Sequence, residues 1–582
     1  MTLVPDFRSA VAWFGASASL DCTRVHYTTR FKFALSFLAA IAAALGAQAD
    51  DSPSETRTYQ IPLRAQQETV AGSGQYHRLH RQDNWQAKDI AVIVCDMWDS
   101  HHCLNAVRRE GEVAPRMNAV LTELRSHGAT IIHAPSGCMA AYKDHPARSR
   151  ATAIKPASNV PGDIAKWCDQ ISSEAAAAYP LDQSAGGEDD DLAEHDQWAA
   201  TLKAAGRNPK APWLKQTDAI TIDERRDYIS DAGPEIWSIL EDRQIKHIAL
   251  VGVHTNMCVL GRPFGLRQLA SHGKQVALIR DLTDTMYDPR QWPYVSHFSG
   301  TDLIVDHIER FVCATFTSAA IIGGAPFRFA GDRRPVLALI MAEDEYETAK
   351  TLPAFAAEHL GQYRIQTIFG SETDRSTLPG IEQIYEADAI LVSVRRRPLP
   401  TEELNALRKF VAAGKPVIGL RTASHAFCLR NQTPTAGLAE WPEFDAQVLG
   451  GHYTNHYGND DHPAIVPPES SPGNALAKSL PKSSFTSSGS LYKVSPLGPG
   501  ARVLLNGSIS GQEAEPVAWT NVRSDGGRAF YTSLGHKGDF EKDEFRLLLA
   551  NGIHWACDQP LVTLDDIEQQ RARYSSGRGK QR

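Results

Sequence analysis

Cys258 is the residue of this sequence whose position best suits nucleophilic chemistry. It follows the apolar run IALVGV at residues 248–253, which predicts a strand buried on both faces. From Val259 apolar residues recur at roughly helical spacing as far as Gly273, so the cysteine lies where a strand turns into a helix. At such a turn, free backbone N–H groups and the positive helix end lower a thiol pKa and can hold an oxyanion. The alternative is that Cys258 is a small buried hydrophobic residue, as most cysteines are.

Asp96 follows an earlier strand and offers complementary chemistry. Residues 90–94 predict a central parallel strand, and Asp96 projects just beyond its carboxyl end, where catalytic groups collect in an open α/β sheet. A carboxylate within hydrogen-bond reach of the sulfur could take the thiol proton and later pass it to a leaving amine. The alternative for an aspartate at a strand end is the N-cap of a helix.

The sequence around these two residues resembles the isochorismatase-like cysteine hydrolase superfamily, which includes nicotinamidases and N-carbamoyl amide hydrolases. The resemblance covers about residues 87–326 and is carried by CDMWDSHHC, IIHAPS, GVHTNMCVLGRPFGLRQ and RDLTDTMYDP. It implies that Cys258 is the nucleophile and that Asp96 is the general acid and base. It further implies a small-molecule substrate with an amide, carbamoyl or related C–N bond, and no required cofactor.

The same resemblance implies a cis peptide bond between Val253 and His254, which together with Met257 form the region that holds the oxyanion. We expect further side chains from these motifs to line a hydrogen-bonding pocket: Trp98, His101, His133, Asn256 and Arg262. A divalent metal is the alternative, because nicotinamidase relatives hold one with an Asp and His cluster near this place. Their Asp-x-His spacing has no match here, so pocket residues are the preferred interpretation.

The resemblance weakens at the third catalytic position. The superfamily usually has a lysine just past the strand that is predicted here at residues 219–222, but Asp223 or Glu224 stands in its place. Arg225 or Arg226 could supply positive charge, although an arginine cannot shuttle a proton as a lysine does. Two interpretations stay open: a hydrolase with altered chemistry, or a module that binds without turnover.

Alternating strand and helix patterns predict how these residues are positioned. Residues 114–128 repeat apolar side chains at helical spacing, and TIIHAPS predicts a strand that ends at His133, which completes a β-α-β unit. Residues 151–215 have the composition of a polar insertion, of the kind that shapes access to a site. We therefore expect a doubly wound parallel sheet with both catalytic candidates at its carboxyl edge.

A second alternation of strands and helices follows the connector GDRRP. Residues 335–558 resemble the ThuA-like (trehalose-utilisation) family, which has a class I glutamine amidotransferase-like fold, through ADAILVSVRRRPL, GKPVIGLRTASHAF, GGHYTNHYG, HPAI and AFYTSLGHKGDF. The turn after PVIG has no cysteine, so glutamine hydrolysis is not expected. Four histidines are candidates to bind a carbohydrate or a metal, or are ordinary hydrogen-bonding residues: His425, His452, His456 and His536. The expected fold class is α/β, with two doubly wound parallel-sheet domains in tandem.

The composition excludes some classes of partner. The 582 residues are 42% hydrophobic and 22% charged, as in ordinary globular proteins, and the formal charge of −8 gives no reason to expect nucleic-acid binding. Because superfamily members often associate, a homo-oligomer is a further expectation of the resemblance.

The N-terminus is typical of an export signal. A basic segment precedes the apolar run FALSFLAAIAAALG, and an Ala-Gln-Ala cleavage site ends at Ala49, so we expect residues 1–49 to be removed and the protein to be periplasmic or secreted. An uncleaved membrane anchor is the alternative. Residues 50–86 are expected to form an extended arm, and residues 559–582 a mobile basic tail. The eight cysteines left after cleavage show no CxxC pair and no disulfide framework.

Overall fold

The computed structural model of the protein describes residues 57–469, 473, 475–480 and 482–578. The signal peptide predicted for residues 1–49 and its cleavage site lie outside the described residues. Within the described part of the chain, no helix is long and apolar enough to cross a membrane. The eight cysteines in that part are free thiols.

The first half of the chain alternates strands and helices. Its elements are β1 (Thr58–Glu68), β2 (Tyr76–Gln86), β3 (Ile90–Cys95), α1 (Leu104–Ser126), β4 (Thr130–Ala134), α2 (Pro146–Ala153), α3 (Leu192–Ala204), β5 (Tyr228–Ile229), α4 (Gly233–Asp242), β6 (His247–Val253), α5 (Leu266–Ser271), β7 (Val276–Asp284), α6 (His297–Phe311), β8 (Ala314–Phe316) and α7 (Ala319–Ile322).

These strands form one eight-stranded sheet in the order β2-β1-β8-β7-β6-β3-β4-β5. The six strands from β8 to β5 are parallel. Alternate side chains of β3 enter opposite cores: Ala91 and Ile93 pack in the core that includes α4, α5 and α6, whereas Val92 and Val94 pack in the core that includes α1 and α7. Because both faces of β3 are covered by helices, this strand needs the continuous apolar run that the sequence provides.

The second half has its own set of elements. They are β9 (Val336–Ala342), α8 (Thr348–His359), β10 (Arg364–Phe369), β11 (Ala389–Val394), β12 (Leu399–Pro400), α9 (Thr401–Ala412), β13 (Val417–Leu420), β14 (Leu438–Ala439), β15 (Asn455–His456), β16 (Ala464–Val466), α10 (Ala475–Ser479), β17 (Phe485–Thr486), β18 (Tyr492–Lys493), β19 (Ala501–Ser508), β20 (Glu515–Val522), β21 (Arg528–Thr532), α11 (Asp543–Ala556) and α12 (Leu564–Arg578).

The main sheet of the second half has nine strands in the order β10-β9-β11-β13-β21-β20-β19-β16-β17. The five strands from β10 to β21 are parallel, and the remaining four continue the sheet in antiparallel fashion. The chain therefore has the predicted tandem α/β architecture, and each parallel sheet carries an antiparallel extension.

The segment expected to be an extended arm is instead part of the first sheet. β1 and β2 form a long hairpin, and Arg64 of β1 opposes Thr315 of β8. The hairpin also contacts the second half, where the Arg78 guanidinium donates to Gln383 Oε1 at 3.0 Å. For residues 58–86 the arm prediction was wrong, because β2, with the sequence YHRLHRQDNWQ, is polar at nearly every position and carries no clear strand pattern.

Helix α12 occupies most of the segment expected to be a mobile tail. It packs on α8 and α11, and the side chain of Ile567 is fully buried at 0% exposure. Near its end, the ring centroids of Tyr574 and Trp292 lie 4.8 Å apart, so the helix also contacts the first half. The sequence of residues 559–582 did not predict this helix, because it is rich in charged residues. Only a few apolar side chains dock the helix, so no clear apolar pattern marks it.

We expect Ile567→Ala to destabilise the protein by about 2–5 kcal/mol, because it removes a buried side chain and leaves a cavity beneath α12. Unfolding in urea, followed by circular dichroism, would show a lower midpoint. Glu568→Ala is the matched control, since Glu568 is exposed on the same helix. Equal midpoints for the two variants would mean that α12 is not docked in solution.

Candidate active site

The pairing of two adjacent parallel strands brings Asp96 and Cys258 together. β3 and β6 are neighbours in the sheet, and Cys95 opposes Gly252 in their register. Asp96 follows β3 directly, and the turn that carries Cys258 follows β6. Both candidate residues thus leave the same carboxyl edge of the sheet, where ligands bind in this class of fold.

The turn after β6 is a single π-helical turn, Thr255–Val259. The peptide bond between Val253 and His254 is cis. The N–H groups of Met257 and Val259 both donate to His254 O, at 3.0 and 3.1 Å. The Met257 N–H, which belongs to the predicted oxyanion region, is therefore already used inside the turn.

Two side chains of this turn, Thr255 and Asn256, fasten it to β7 and to the segment after β7. The hydroxyls of Thr255 and Thr283 are 2.7 Å apart, and the Thr283 hydroxyl lies 2.7 Å from Gly252 O. The Asn256 amide donates to Met286 O and accepts from Met286 N, both at 2.9 Å. Asn256, predicted to line the pocket, therefore fixes the turn, because its amide nitrogen and oxygen are both taken by backbone.

The Asp96 carboxylate contacts three groups. Its Oδ1 accepts from the backbone N–H of Ser136 at 2.7 Å, and its Oδ2 accepts from Arg262 Nε at 3.0 Å and lies 2.9 Å from Arg262 Nη2. The Cys258 thiol hydrogen-bonds to the same carboxylate. Asp96 has a φ of 47°, a conformation that costs energy for a non-glycine residue and that often marks functional sites.

Arg262 supplies the positive charge that the sequence lacked at the lysine position. The candidates Arg225 and Arg226 are wrong: both are exposed, and Arg226 pairs with Asp223 at 2.9 Å. The strand expected at residues 219–222 is irregular, so it does not direct its following residues to the sheet edge. Arg262 lies four residues after Cys258, and its N–H donates to Cys258 O at 3.0 Å, so one helical turn places its guanidinium beside Asp96.

Burial sets the protonation of the pair. It raises the pKa of the Cys258 thiol well above its usual range, and the negative charge of Asp96 raises it further, while the charge of Arg262 opposes the shift. Burial also raises the pKa of Asp96, against the contacts from Arg262, Cys258 and Ser136. The expectation of a lowered thiol pKa was wrong, because burial and the charge of Asp96 outweigh the lowering effects of Arg262 and the His254 backbone. The resting thiol is therefore protonated.

The rings of Trp98, Trp213 and His101 form an aromatic wall beside Asp96 and Cys258. Trp98 and Trp213 stack with ring centroids 4.4 Å apart, and Trp98 Nε1 donates to Ser136 O at 3.1 Å. His101 stacks on Trp98 and lies 4.8 Å, between centroids, from His254. Burial lowers the pKa of His101 well below its usual range, so this ring is neutral. Trp98 and His101, both predicted to line the pocket, thus pack together next to His254.

His133, also predicted to line the pocket, does not pack with Trp98 and His101. Its Nδ1 lies 2.9 Å from Gln216 Oε1 and its Nε2 lies 3.0 Å from Asp227 Oδ2, which in turn pairs with Arg125 at 2.7 Å. Both ring nitrogens are thereby occupied, and the histidine ties β4 to the chain around residues 216–227.

The predicted insertion covers the turn from outside. Trp167 lies over Arg262, with 5.5 Å from the ring centroid to the guanidinium carbon, and the N–H of Cys168 donates to Gly261 O at 2.8 Å. Trp167 remains 43% exposed, as Met257 does at 40%, so these two side chains form an apolar rim. Cys258 itself is only 7% exposed. Access to the thiol is therefore narrow.

A divalent metal was the alternative to a hydrogen-bonding pocket. Among the described residues, one group of three potential ligands lies close enough to share an ion: Cys103, Asp189 and Asp190. Asp190 accepts from the N–H groups at the start of α1, at 2.8 and 2.7 Å, and Asp189 pairs with Arg109 at 2.8 Å. These carboxylates already cap a helix and balance an arginine, and the group includes no histidine.

In the second half, aromatic rings gather around a buried arginine. Arg421 stands at the turn after β13 with φ 43°, and its guanidinium carbon lies 4.1 Å from the Tyr346 centroid and 4.7 Å from the Tyr492 centroid. His425 stacks on Tyr453 at 4.4 Å, and burial together with nearby arginines lowers its pKa to about 3.

The other three predicted histidines are more scattered. His456 is exposed and reaches the Tyr492 ring at 6.3 Å, whereas His536 contacts Tyr346 at 5.8 Å. His452 is exposed. In the part of the chain that the structure describes, these histidines form no group that could share a metal ion.

We expect Cys258 to react slowly with iodoacetamide at pH 7, because its thiol is protonated. In Asp96→Asn the loss of the negative charge lowers the thiol pKa, so the rate profile should move to lower pH by about one to three units. Labelling between pH 6 and 10, with the modified cysteine located by mass spectrometry, measures this. Asp99→Asn is the matched control, since Asp99 pairs with Arg207 instead. Full reactivity of Cys258 below pH 8 in the protein without substitutions would contradict the conclusion that its resting thiol is protonated.

Comparisons with known proteins were made for the sequence and the fold. Residues 338–556 match the family model described as ThuA, trehalose utilisation. No curated protein matches the chain. Similar solved structures include a putative ThuA-like protein from Bacteroides uniformis, which is 20% identical, covers 40% of this chain and 95% of its own, and has a TM-score of 0.30.

Two further solved structures carry names related to the resemblance of the first half. A cysteine hydrolase from Pseudomonas syringae pv. phaseolicola is 14% identical over 40% of this chain and 92% of its own, with a TM-score of 0.24. An isochorismatase family protein from Burkholderia thailandensis is 14% identical over 40% of this chain and 94% of its own, with a TM-score of 0.23. Likenesses at these scores carry no argument about activity, which rests on the site. The family model places the ThuA match within the segment predicted for it, residues 335–558.

Proposed function

We propose that the first half of the chain is a cysteine hydrolase that cleaves a C–N bond in a small amide or carbamoyl compound. The observation that carries this proposal is the contact of the Asp96 carboxylate with both the Cys258 thiol and the Arg262 guanidinium. A thiol, a base and a fixed cation at the edge of a parallel sheet are the groups that acyl transfer needs.

In the first step, Cys258 Sγ forms a bond to the substrate carbonyl carbon while Asp96 takes the thiol proton. The carbonyl oxygen becomes an oxyanion, to which the backbone N–H of His254, directed at the sulfur, is positioned to donate. As the oxyanion collapses, the C–N bond breaks and the leaving nitrogen takes the proton from Asp96, leaving a thioester on Cys258.

In the second step, water attacks the thioester carbon and Asp96 takes one of its protons. The C–S bond then breaks, the acid is released, and the sulfur recovers its proton from Asp96. Because the carboxylate alternates between base and acid, its raised pKa suits it to both tasks.

Arg262 is a positioning residue in this mechanism. It holds Oδ2 of Asp96 through two nitrogens and keeps its charge throughout, since an arginine does not lose its proton. The aromatic wall of Trp98, Trp213 and His101 together with the low exposure of Cys258 favours a small, flat substrate.

The test is ammonia or amine release from a panel of simple amides and N-carbamoyl amines. We expect Cys258→Ser and Asp96→Asn to lose about a thousandfold or more in kcat/KM, because each removes a group that acts in every step. Mass spectrometry should also find an acyl adduct on Cys258 during turnover. Cys428→Ala, in the second half, is the matched control and should keep full activity.

The Arg262 variants separate positioning from folding. Without the cation, Arg262→Met raises the pKa of Asp96 further, so the acid limb of the kcat/KM profile should move to higher pH, and Arg262→Lys should restore part of the shift. No release from any compound, with no adduct on Cys258, would leave the first half as a binding module and overturn the hydrolase assignment.

A second function, carbohydrate binding, is proposed for the second half. The rings of Tyr346, Tyr453, Tyr492 and His425 gather at the carboxyl edge of its sheet, and stacked aromatic rings are suitable surfaces for sugars. The description of the matching family, trehalose utilisation, supports a carbohydrate ligand.

Calorimetry with trehalose tests this second function. We expect Tyr453→Ala to weaken binding roughly 3- to 10-fold, the loss of one stacking partner. Tyr385→Ala is the matched control, because Tyr385 is 59% exposed and lies elsewhere on the second half. Equal trehalose affinity in both variants, or no measurable heat of trehalose binding, would contradict carbohydrate binding by this ring cluster.

A further inference from the structure

The second sheet changes its winding direction between β9 and β11. From β9 the chain crosses to β10 on one side, and it then returns to β11 on the other side of β9, with the three strands parallel. In open α/β sheets, ligands bind outside the carboxyl ends of the strands at such a point. Tyr346 lies shortly after β9, and Arg395 and Arg396 directly follow β11, so these residues stand on the two sides of the expected crevice.

The ring cluster of the second half lies at the same edge. β13 pairs with β11, and the turn after β13 carries His425, whose backbone oxygen accepts from the Arg396 N–H at 3.0 Å. Tyr453 stacks on His425 at 4.4 Å and lies 4.8 Å from Tyr492, between ring centroids. His425, Tyr346 and Tyr492 are buried, whereas Tyr453 is half-buried. Tyr453 is therefore the ring of this cluster that a ligand can reach.

Arginines surround these rings with positive charge. Burial raises the pKa of Tyr453, and the charges of Arg396, Arg430 and Arg395 oppose that rise. The pKa of His425, lowered mainly by burial, is lowered further by Arg396 and Arg395. Arg396 also has a φ of 46°, an uncommon conformation for a non-glycine residue and one that often marks a functional site.

The carboxylates of this region are engaged elsewhere. Glu345 pairs with Arg395 at 2.8 Å, across the crevice between β9 and β11. Three more carboxylates accept from backbone N–H groups: Glu343, Glu440 and Asp445. Within the part of the chain that the structure describes, Arg396 and Arg430 form no ion pair, and both are at least partly exposed. Their guanidinium groups can therefore receive an acidic group from a ligand.

We propose that this edge binds an anionic carbohydrate, with the sugar ring on Tyr453 and its acidic group on Arg396 and Arg430. The inference rests on the carbohydrate binding proposed above for the second half, and it adds the charge of the ligand. Arginine binds carboxylate and phosphate groups through paired hydrogen bonds. A uronic acid and a sugar phosphate share this chemistry, since each joins a sugar ring to an oxyanion.

Calorimetry on the full chain with glucose, glucuronate and glucose 6-phosphate tests the inference, at an ionic strength held constant with sodium chloride. We expect at least one of the two acidic sugars to bind about tenfold or more tightly than glucose, because only it engages the arginines. The tighter of the two identifies the acidic group as a carboxylate or a phosphate. Inorganic phosphate and acetate should bind more weakly than the acidic sugars, since they have no ring to stack.

Two variants test the arginines independently. Arg396→Met and Arg430→Met should each reduce the preference for the acidic sugar over glucose about 3- to 30-fold. Arg502→Met is the matched control, because Arg502 is exposed on β19 in the antiparallel part of the sheet. Arg430→Met remains informative if Arg396→Met fails to fold, since Arg430 is exposed.

Trehalose in the same assay separates this inference from the function on which it rests. Trehalose binding without any preference for acidic sugars over glucose, or with a preference that both variants keep, would overturn the inference and leave carbohydrate binding in place. Acidic sugars that bind no more tightly than inorganic phosphate or acetate would indicate a simple anion site and would also overturn it. Failure of every sugar to bind would overturn both proposals.

Discussion

The parallel pairing of β3 with β6 is the constraint on which the candidate active site depends. At its carboxyl end the two backbones approach so closely that a Cβ on Gly252 would lie 2.0 Å from Cys95 O. Gly252 also has a φ of 109°, which only glycine adopts without strain. Any larger residue would push the strands apart and separate the thiol from the carboxylate. The geometry of the site therefore rests on a position that carries no chemistry.

The charges within the site are balanced in a way that makes its burial tolerable. The Asp96 carboxylate and the Arg262 guanidinium neutralise each other, and the resting thiol is uncharged, so the three groups together bear no net charge. In the proposed reaction Asp96 becomes neutral as the oxyanion forms. The positive charge of Arg262 is then no longer offset by Asp96, so the proton transfer changes the net charge of these three groups.

The sequence was sufficient to predict the central strands of the first sheet, because continuous apolar runs mark them. Strands such as β3, β4 and β6 are continuous apolar runs because both faces are buried, and residues that follow neighbouring strands must meet at one edge. This is why Asp96 and Cys258 could be paired in advance. Arg262 could not be assigned its role, because its contact depends on the path of a single irregular turn, although its spacing of four from Cys258 was a usable signal.

Other elements escaped prediction because tertiary contacts decide them. The β1–β2 hairpin is polar along much of its length, and its strands form because β8 offers an edge and the second half offers partners. Helix α12 shows almost no apolar periodicity and docks through few buried side chains. In the second half, four histidines were predicted as candidate ligands, but the structure does not bring all four together. The side chains that do meet there are aromatic rings around Arg421.

Helix α12 has a consequence for the order in which the chain becomes structured during synthesis. The first half contains every strand of its own sheet, so it can fold as soon as β8 has left the ribosome. Trp292, however, gains its ring contact with Tyr574 only when α12 has emerged. Between these two events the nascent protein exposes an aromatic surface near a completed domain, and a stalled or truncated chain would keep it exposed. Helix α12 thus serves as a late contact between the second half of the chain and the first.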